Sequence, residues 1–184
     1  MLPAVPRVRV VNQGVGILEL EALVRVNVAR LALDRTTNTP VVFLREAVGD
    51  RGVAIWIGSA EARAIALALA GDTAPRPLTH DLLHTLLGAL QGTVERVNIT
   101  SVRDGTYLAE LHLLRSDGQQ VTIDARPSDA LALALRAGAP VWAHSSLLQV
   151  DGVPAQEVVA PLDAEALRAH LRGLGPEDFG KFTP

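Results

Sequence analysis

The sequence has 184 residues, of which 48% are hydrophobic, a formal net charge of −3 and no cysteine. These values suit one folded domain with extra residues at its ends, and they exclude a disordered chain, a disulfide framework and a cysteine nucleophile. The negative charge and the aromatic content of only 3% argue against a dedicated non-specific nucleic-acid binder. We find neither a signal peptide nor a membrane-spanning run, so we expect a soluble, cytoplasmic protein.

The first half of the chain reads as three strands followed by a helix. Residues 1–20 show no clear period and are predicted to form an extension. Alternating apolar residues predict strands at 23–33, 41–46 and 53–57, joined by turns as in an antiparallel meander. A helix is predicted over 60–70, where Gly71 ends it.

The second half is predicted to contain a helix, three strands, another helix and a final short strand. A helix capped by Thr79 carries a wide leucine stripe. Further strands are predicted at 94–102, 107–114 and 120–124, then a helix that ends at Gly138 and a short strand at 141–143. Together these elements predict an α+β fold with a largely antiparallel or mixed sheet, covering residues 21–150. Residues 151–184 are predicted to be an arm with an amphipathic helix near 163–174.

Polar residues gather where the strand at 120–124 passes into the following helix. Asp124, Arg126, Ser128 and Asp129 fall within six residues, and Ser128 or Asp129 can cap the helix. A free helix N-terminus attracts anions such as phosphate. The alternative is structural, with Arg126 simply paired to one of the aspartates.

A second candidate is the segment of His80 and Asp81 at the start of the preceding helix. Histidine can act as a general base near neutral pH, and a neighbouring carboxylate can orient it. By contrast, the turn containing Arg103 and Asp104 needs no function, and Glu61 is expected on a solvated helix face. No P-loop, HExxH or GxSxG pattern is present. The candidates that remain are acidic residues, arginines and one histidine. These residue types suit a divalent cation bound by oxygens and a phosphate bound by arginine.

Several stretches in order resemble the bifunctional nuclease domain family. They are NTPVV (38–42), IWIG (55–58), RPLTHDLL (76–83), DGTY (104–107), IDARPSDALALA (123–134) and GPEDF (175–179). Ala54 and Leu108 depart from the family pattern, which more often has a proline and an aromatic residue there. The resemblance implies an α+β fold, a homo-oligomer and nuclease activity on DNA and RNA.

The leading hypothesis is a nuclease assisted by magnesium or manganese and acting on nucleic acid. The predicted catalytic residues are His80, Asp81, Asp124, Arg126, Ser128 and Asp129. Asp124, Asp129 and Asp81 would hold the metal, with Asp104 as a further candidate. Arg126, Arg103 and Arg76 would bind phosphate, and His80 would be the acid or base.

Two other functions remain open at this stage. In the first, the Asp-Arg-Pro-Ser-Asp cluster is structural or forms an oligomer interface in a non-catalytic binding or regulatory module. In the second, the chain hydrolyses a small-molecule phosphate ester. Carboxylates converging on an open cleft would favour an enzyme, whereas aspartates satisfied by backbone N–H groups or buried arginines would favour the module.

Overall fold

The computed structural model describes residues 8–11, 22–34 and 36–150. These residues form a mixed eight-stranded sheet with helices packed on it, which confirms the predicted α+β class. The strands are β1 (Val8–Val11), β2 (Leu23–Leu33), β3 (Pro40–Glu46), β4 (Gly52–Trp56), β5 (Gly92–Arg103), β6 (Thr106–Arg115), β7 (Gln120–Ala125) and β8 (Val141–His144). The helices are α1 (Ser59–Ala70), α2 (Thr79–Ala89), α3 (Pro127–Ala137) and a short 3₁₀ helix at Ser145–Leu147.

The sheet consists of two antiparallel meanders joined by β8. Its strand order is β1-β7-β6-β5-β8-β2-β3-β4, and only the β5–β8 pair is parallel among the described strands. Asn98, Glu110 and Asp124 lie side by side on β5, β6 and β7. Consequently the β5–β6 turn and the end of β7 lie at the same end of the sheet.

Strand β1 lies within residues 1–20, for which the sequence analysis predicted an N-terminal extension and no strand. Val8 pairs with Ile123, so β1 forms an antiparallel edge next to β7. The strand is short and its partner is more than a hundred residues away, so local periodicity gives little sign of it. The predicted helix at 163–174 lies outside the described residues.

Helix α3 forms the centre of the helical layer. It packs against β5 and β6 and is flanked by α1 and α2. Seven of its eleven residues are buried, because alternating alanine and leucine let the helix approach the sheet closely. Its buried residues are Pro127, Ser128, Ala130, Leu131, Ala132, Leu133 and Ala134.

In the described part of the chain, no helix has the length and hydropathy needed to cross a lipid bilayer.

The helix starts differ from the sequence prediction in one respect. The N-cap residues are Gly58, Leu78 and Arg126, and none of them accepts a hydrogen bond with its side chain. Thr79, Ser128 and Asp129, predicted as caps, instead lie inside the first helical turn. Leu78 and Arg126 have extended backbone, and the helix begins at the next residue. In α3 that residue is Pro127.

Candidate functional site

An acidic residue occupies the third position of every described α-helix. These residues are Glu61 in α1, Asp81 in α2 and Asp129 in α3. A carboxylate at this position is favoured by the partial positive charge of the helix N-terminus. Because α1 and α2 both pack against α3, the three carboxylates can bind two arginines. These are Arg126, the residue before α3, and Arg136, near its end.

Arg126 links the starts of α1 and α3. Its Nε donates to Asp129 Oδ2 at 2.6 Å, and its Nη2 donates to Glu61 Oε1 at 2.6 Å. Gly58 leaves room for the Glu61 carboxylate, because a Cβ at that position would collide with Oε2. The hydrogen bond that Arg126 donates to Asp129 raises the pKa of Arg126, so this guanidinium stays charged. It is also largely exposed to solvent.

His80 contacts the second oxygen of the same aspartate. Its Nε2 lies 3.2 Å from Asp129 Oδ1, and its side chain is mostly buried. Burial raises the pKa of Asp129, but the hydrogen bonds from Arg126 and His80 outweigh burial and lower it overall. Asp129 is therefore ionised near neutral pH and fixes the His80 tautomer with the proton on Nε2.

Asp81 has a different role from that of Asp129. Its Oδ2 accepts the Leu78 N–H at 2.8 Å, and its Oδ1 accepts Arg136 Nε at 2.5 Å. Arg136 is mostly buried and also donates to the carbonyl oxygens of Ala64 and Ala132. The hydrogen bond from Arg136 lowers the pKa of Asp81. This pair therefore ties the three helices together.

Among the described residues, no hydrogen bond or ion pair joins the other predicted site residues to His80 or Asp129. Asp124 is exposed on β7 opposite Glu110, and Ser128 is buried in α3. Arg103 and Asp104 are exposed in the β5–β6 turn, at the end of the sheet where Arg126 follows β7. The remaining residue, Arg76, is exposed in the loop before α2.

The predicted metal ligands do not fit a bound cation in this arrangement. Each oxygen of Asp81 and of Asp129 already has a nitrogen partner. Among the described residues, no group of three or more His, Asp or Glu side chains is placed to hold a metal ion. We therefore derive no chemical step through a metal, and metal dependence stays a prediction.

The sequence analysis missed two residues of this cluster. Glu61 was expected on a solvated face, and that expectation was wrong, because it is mostly buried against Arg126. Arg136 was not considered, although it makes three hydrogen bonds. An acidic residue in a first helical turn was the available signal for Glu61. No local signal pairs Arg136 with Asp81, which is 55 residues away.

The fold and the cluster define an α+β domain with a charged, partly exposed histidine–aspartate–arginine group at helix N-termini. Residues 42–156 match the bifunctional nuclease domain. The chain therefore belongs to the bifunctional nuclease domain family, as the resemblance of its motifs predicted.

The comparison with individual relatives adds both close and distant members. Two uncharacterized proteins of Mycobacterium tuberculosis, from strains CDC 1551 and H37Rv, are each 38% identical over 162 residues. The matched region covers 84% of this chain and 96% of each relative. Bifunctional nuclease 2 of Oryza sativa subsp. japonica is 31% identical over 84 residues, covering 45% of this chain and 26% of that protein.

Proposed function

We propose that the protein is a nuclease that hydrolyses phosphodiester bonds of DNA, RNA or both, with His80 as the general acid or base. The observation that carries the proposal is the contact of His80 Nε2 with Asp129 Oδ1 at 3.2 Å, beside the exposed Arg126 guanidinium. Family membership supports the same class of reaction. Histidine, carboxylate and arginine supply a proton carrier, its orienting group and a phosphate ligand.

In this proposal each nitrogen of His80 has a separate task. When Nε2 carries the proton and donates a hydrogen bond to Asp129, the free lone pair is on Nδ1. That nitrogen has no hydrogen-bond partner among the described residues. Nδ1 can therefore accept a proton from an attacking water or from a ribose hydroxyl. Asp129 would orient the ring and stabilise the imidazolium that forms, as a carboxylate does for a catalytic histidine.

Substrate binding requires more positive charge than the cluster holds. With His80 neutral, Glu61, Asp129 and Arg126 sum to one negative charge, which opposes an approaching phosphodiester. The exposed Arg76, four residues before His80, and Arg103 in the β5–β6 turn are the proposed additional phosphate ligands. Such contacts imply that binding weakens as the salt concentration rises.

The proposal is tested by cleavage of labelled single-stranded RNA, single-stranded DNA and supercoiled plasmid by highly purified protein. Each substrate is incubated with magnesium, with manganese and with a chelator. Asp129→Asn is compared with Asp50→Asn, a control that changes an exposed carboxylate of the β3–β4 turn. We expect cleavage by the wild type and the control, and a loss with Asp129→Asn. Equal cleavage by all three proteins would contradict the proposed site.

A second candidate function is supported by the Asp81–Arg136 pair. Asp81 is satisfied by a backbone N–H and a mostly buried arginine, which is the arrangement expected of a structural carboxylate. If the Asp129 cluster is also structural, the domain is a non-catalytic binding or regulatory module. No cleavage under any condition, together with salt-sensitive nucleic-acid binding that Arg76→Ala or Arg103→Ala weakens, would favour this module over the nuclease.

A further inference from the structure

The sheet has a second face, which is turned away from the helices. Along β2, β3 and β4, alternate residues such as Val26, Val42 and Ile55 belong to the core that packs against the helices. Successive side chains of a strand point to opposite faces, so the residues between them lie on the second face. The separate buried cluster there consists of Ala32, Val41, Phe43 and Ala54.

Arginine and tryptophan side chains share this second face with the cluster. Arg25 and Arg30 lie on β2, and Arg45 lies on β3. Trp56 ends β4, and Trp142 lies on β8 directly beside Arg25. Each of them occupies a strand position that alternates with core residues of the helix side. We call these five residues together the arginine–tryptophan surface.

The charge of the arginine–tryptophan surface is positive, although the whole chain carries a net charge of −3. Strands β8, β2, β3 and β4 contain three arginines and one acidic residue, Glu46. The Glu46 side chain is mostly buried, and its carboxylate accepts hydrogen bonds from Arg51. Arg45 makes only an exposed contact of 3.4 Å with Asp50 in the following turn, which is a weak pairing. The guanidinium groups are therefore available to an anionic partner.

Trp56 is an exposed aromatic ring held in one orientation. The residue is 53% exposed, and its Nε1 donates a hydrogen bond to Asp34 Oδ2 at 2.9 Å. The other oxygen of Asp34 accepts the backbone N–H groups of Thr36 and Thr37, so the partner of the indole is itself fixed. A ring that is already ordered loses little conformational entropy when a flat ligand stacks on it.

Arg30 forms a second flat group on the same face. Its guanidinium carbon lies 4.5 Å from the centroid of the Phe43 ring, and Phe43 is only 1% exposed. The guanidinium therefore covers the ring and can present its own outer side to a ligand. Aromatic rings and guanidinium planes are the groups on which proteins stack the unpaired bases of nucleic acids.

These features select a single-stranded nucleic acid over other partners. A protein interface needs an apolar centre, whereas Trp56 is the only large apolar side chain of these four strands that is exposed. The bases of a duplex are stacked on one another and offer no free face to an indole. A single strand combines repeated phosphates with accessible flat bases, which match the arginines and the two stacking groups.

We propose that the arginine–tryptophan surface binds single-stranded DNA or RNA, with bases stacked on Trp56 and Arg30 and phosphates bound by Arg25 and Arg45. The proposal rests on the proposed function for the class of polymer, but it does not require cleavage. Trp56 is five residues before Glu61, so their Cα atoms lie at most about 18 Å apart. A strand on this surface therefore passes close to the contact between Glu61 and Arg126.

The test is fluorescence anisotropy of labelled single-stranded DNA and RNA 20-mers with the whole chain, with gels showing that the probes stay intact. We expect Trp56→Ala to raise the dissociation constant roughly 10-fold, since one base loses its stacking partner. Trp56→Phe, which keeps an aromatic ring, should bind nearly as well as the wild type. A duplex of the same sequence should bind more weakly than either single strand.

Salt dependence tests the role of the arginines. Arg25→Ala should weaken binding and reduce the slope of log K against log salt by about 0.7, the value for one phosphate contact on a single strand. Arg63→Ala is the charge-matched control, because Arg63 is exposed on α1 and not on the second face of the sheet. It should leave the slope closer to that of the wild type, and circular dichroism should show that all variants are folded.

The outcomes separate this proposal from the proposed function. Binding that depends on Trp56 and Arg25 without any cleavage would support the surface and contradict only the nuclease. Equal binding by the wild type, Trp56→Ala and Arg25→Ala would overturn the surface, whether or not the protein cleaves. Competition by polyglutamate as strong as that by an unlabelled single strand would also overturn it, because charge alone would then explain the binding.

Discussion

Arg136, near the end of α3, donates its Nε to Oδ1 of Asp81, in the first turn of α2. The two residues are 55 positions apart in the chain, yet their contact fixes how α2 lies against α3. Arg136 also binds the carbonyl of Ala64 in α1, so one side chain joins three helices. No residue of α2 is fully buried. Its described side-chain hydrogen bonds to α3 are this contact and the one between His80 and Asp129.

Asp81→Asn should destabilise the domain at neutral pH. The change removes the charge that balances the mostly buried Arg136 guanidinium, and leaving such a donor poorly paired costs roughly 1–3 kcal/mol. Urea unfolding measures the loss. Asp50→Asn is the matched control, since its partner Arg45 is exposed and such surface pairs contribute at most about 1 kcal/mol.

The loss caused by Asp81→Asn should depend on pH. Arg136 lowers the pKa of Asp81 below its ordinary value of 3.8 in the folded state. A lowered folded pKa gives stability that is present above 3.8 and is lost as the pH falls through the folded value. The difference between wild type and variant should therefore shrink in acid below pH 3.8. A difference that grows in acid would contradict the Asp81–Arg136 account.

Leu131→Ala should be among the costly core substitutions. Leu131 is fully buried in α3, between the sheet and the flanking helices. Truncating a buried leucine removes apolar contacts and leaves a cavity, which costs about 2–5 kcal/mol in free energy of unfolding. Val48→Ala, at a 92% exposed residue of the β3–β4 turn, should change stability by no more than about 0.5 kcal/mol. Similar losses in the two variants would show that α3 is not the centre of the core.

A separate histidine, His112 on β6, should occupy one neutral tautomer. Its Nδ1 lies 3.3 Å from Arg96 Nη2, which can only donate, so Nδ1 must accept. The proton is then on Nε2, facing Glu110 Oε2 at 3.3 Å. Asn98 must in turn present Oδ1 to Nε2, with its amide turned over from the placement that leaves Oδ1 buried without a partner.

Long-range ¹H–¹⁵N correlation spectra at alkaline pH measure this tautomer directly. We expect the pattern of a ring protonated on Nε2, and we expect Arg96→Met to release that preference. Glu95, which also pairs with Arg96, supplies the comparison, because Glu95→Gln should leave the tautomer unchanged. A wild-type ring protonated on Nδ1 would exclude the inferred hydrogen-bond arrangement.

Much of the fold can be predicted from the sequence because its signals are local. Alternation predicted strands β2 to β8, and the αL residues Gly71 and Gly138 end α1 and α3 as expected. Strand β1 could not be found in this way, because four residues carry little periodicity and pair with a distant strand. The leucine stripe of α2 was also visible, but periodicity does not say how deeply the core buries such a stripe.

The candidate site could be predicted only in part. Asp129, Arg126 and His80 were recognised because they stand at helix starts, where fixed N–H groups gather polar side chains. The contact between Arg126 and Glu61 was harder to predict, because it spans 65 positions and depends on how α1 packs against α3. Asp124 was predicted with Asp129 from closeness in sequence, but Asp124 is exposed on β7, whereas Asp129 is bound by His80 and Arg126.

The most direct test of the central claim compares His80→Ala with His84→Ala in the cleavage of single-stranded RNA and DNA. His84 lies one turn further along the same helix and is exposed, so its loss controls for removing an imidazole from α2. If His80 is the general acid or base, His80→Ala should lower the cleavage rate about 10²- to 10⁴-fold, and His84→Ala should leave it unchanged. Cleavage by His80→Ala at the wild-type rate would contradict the account.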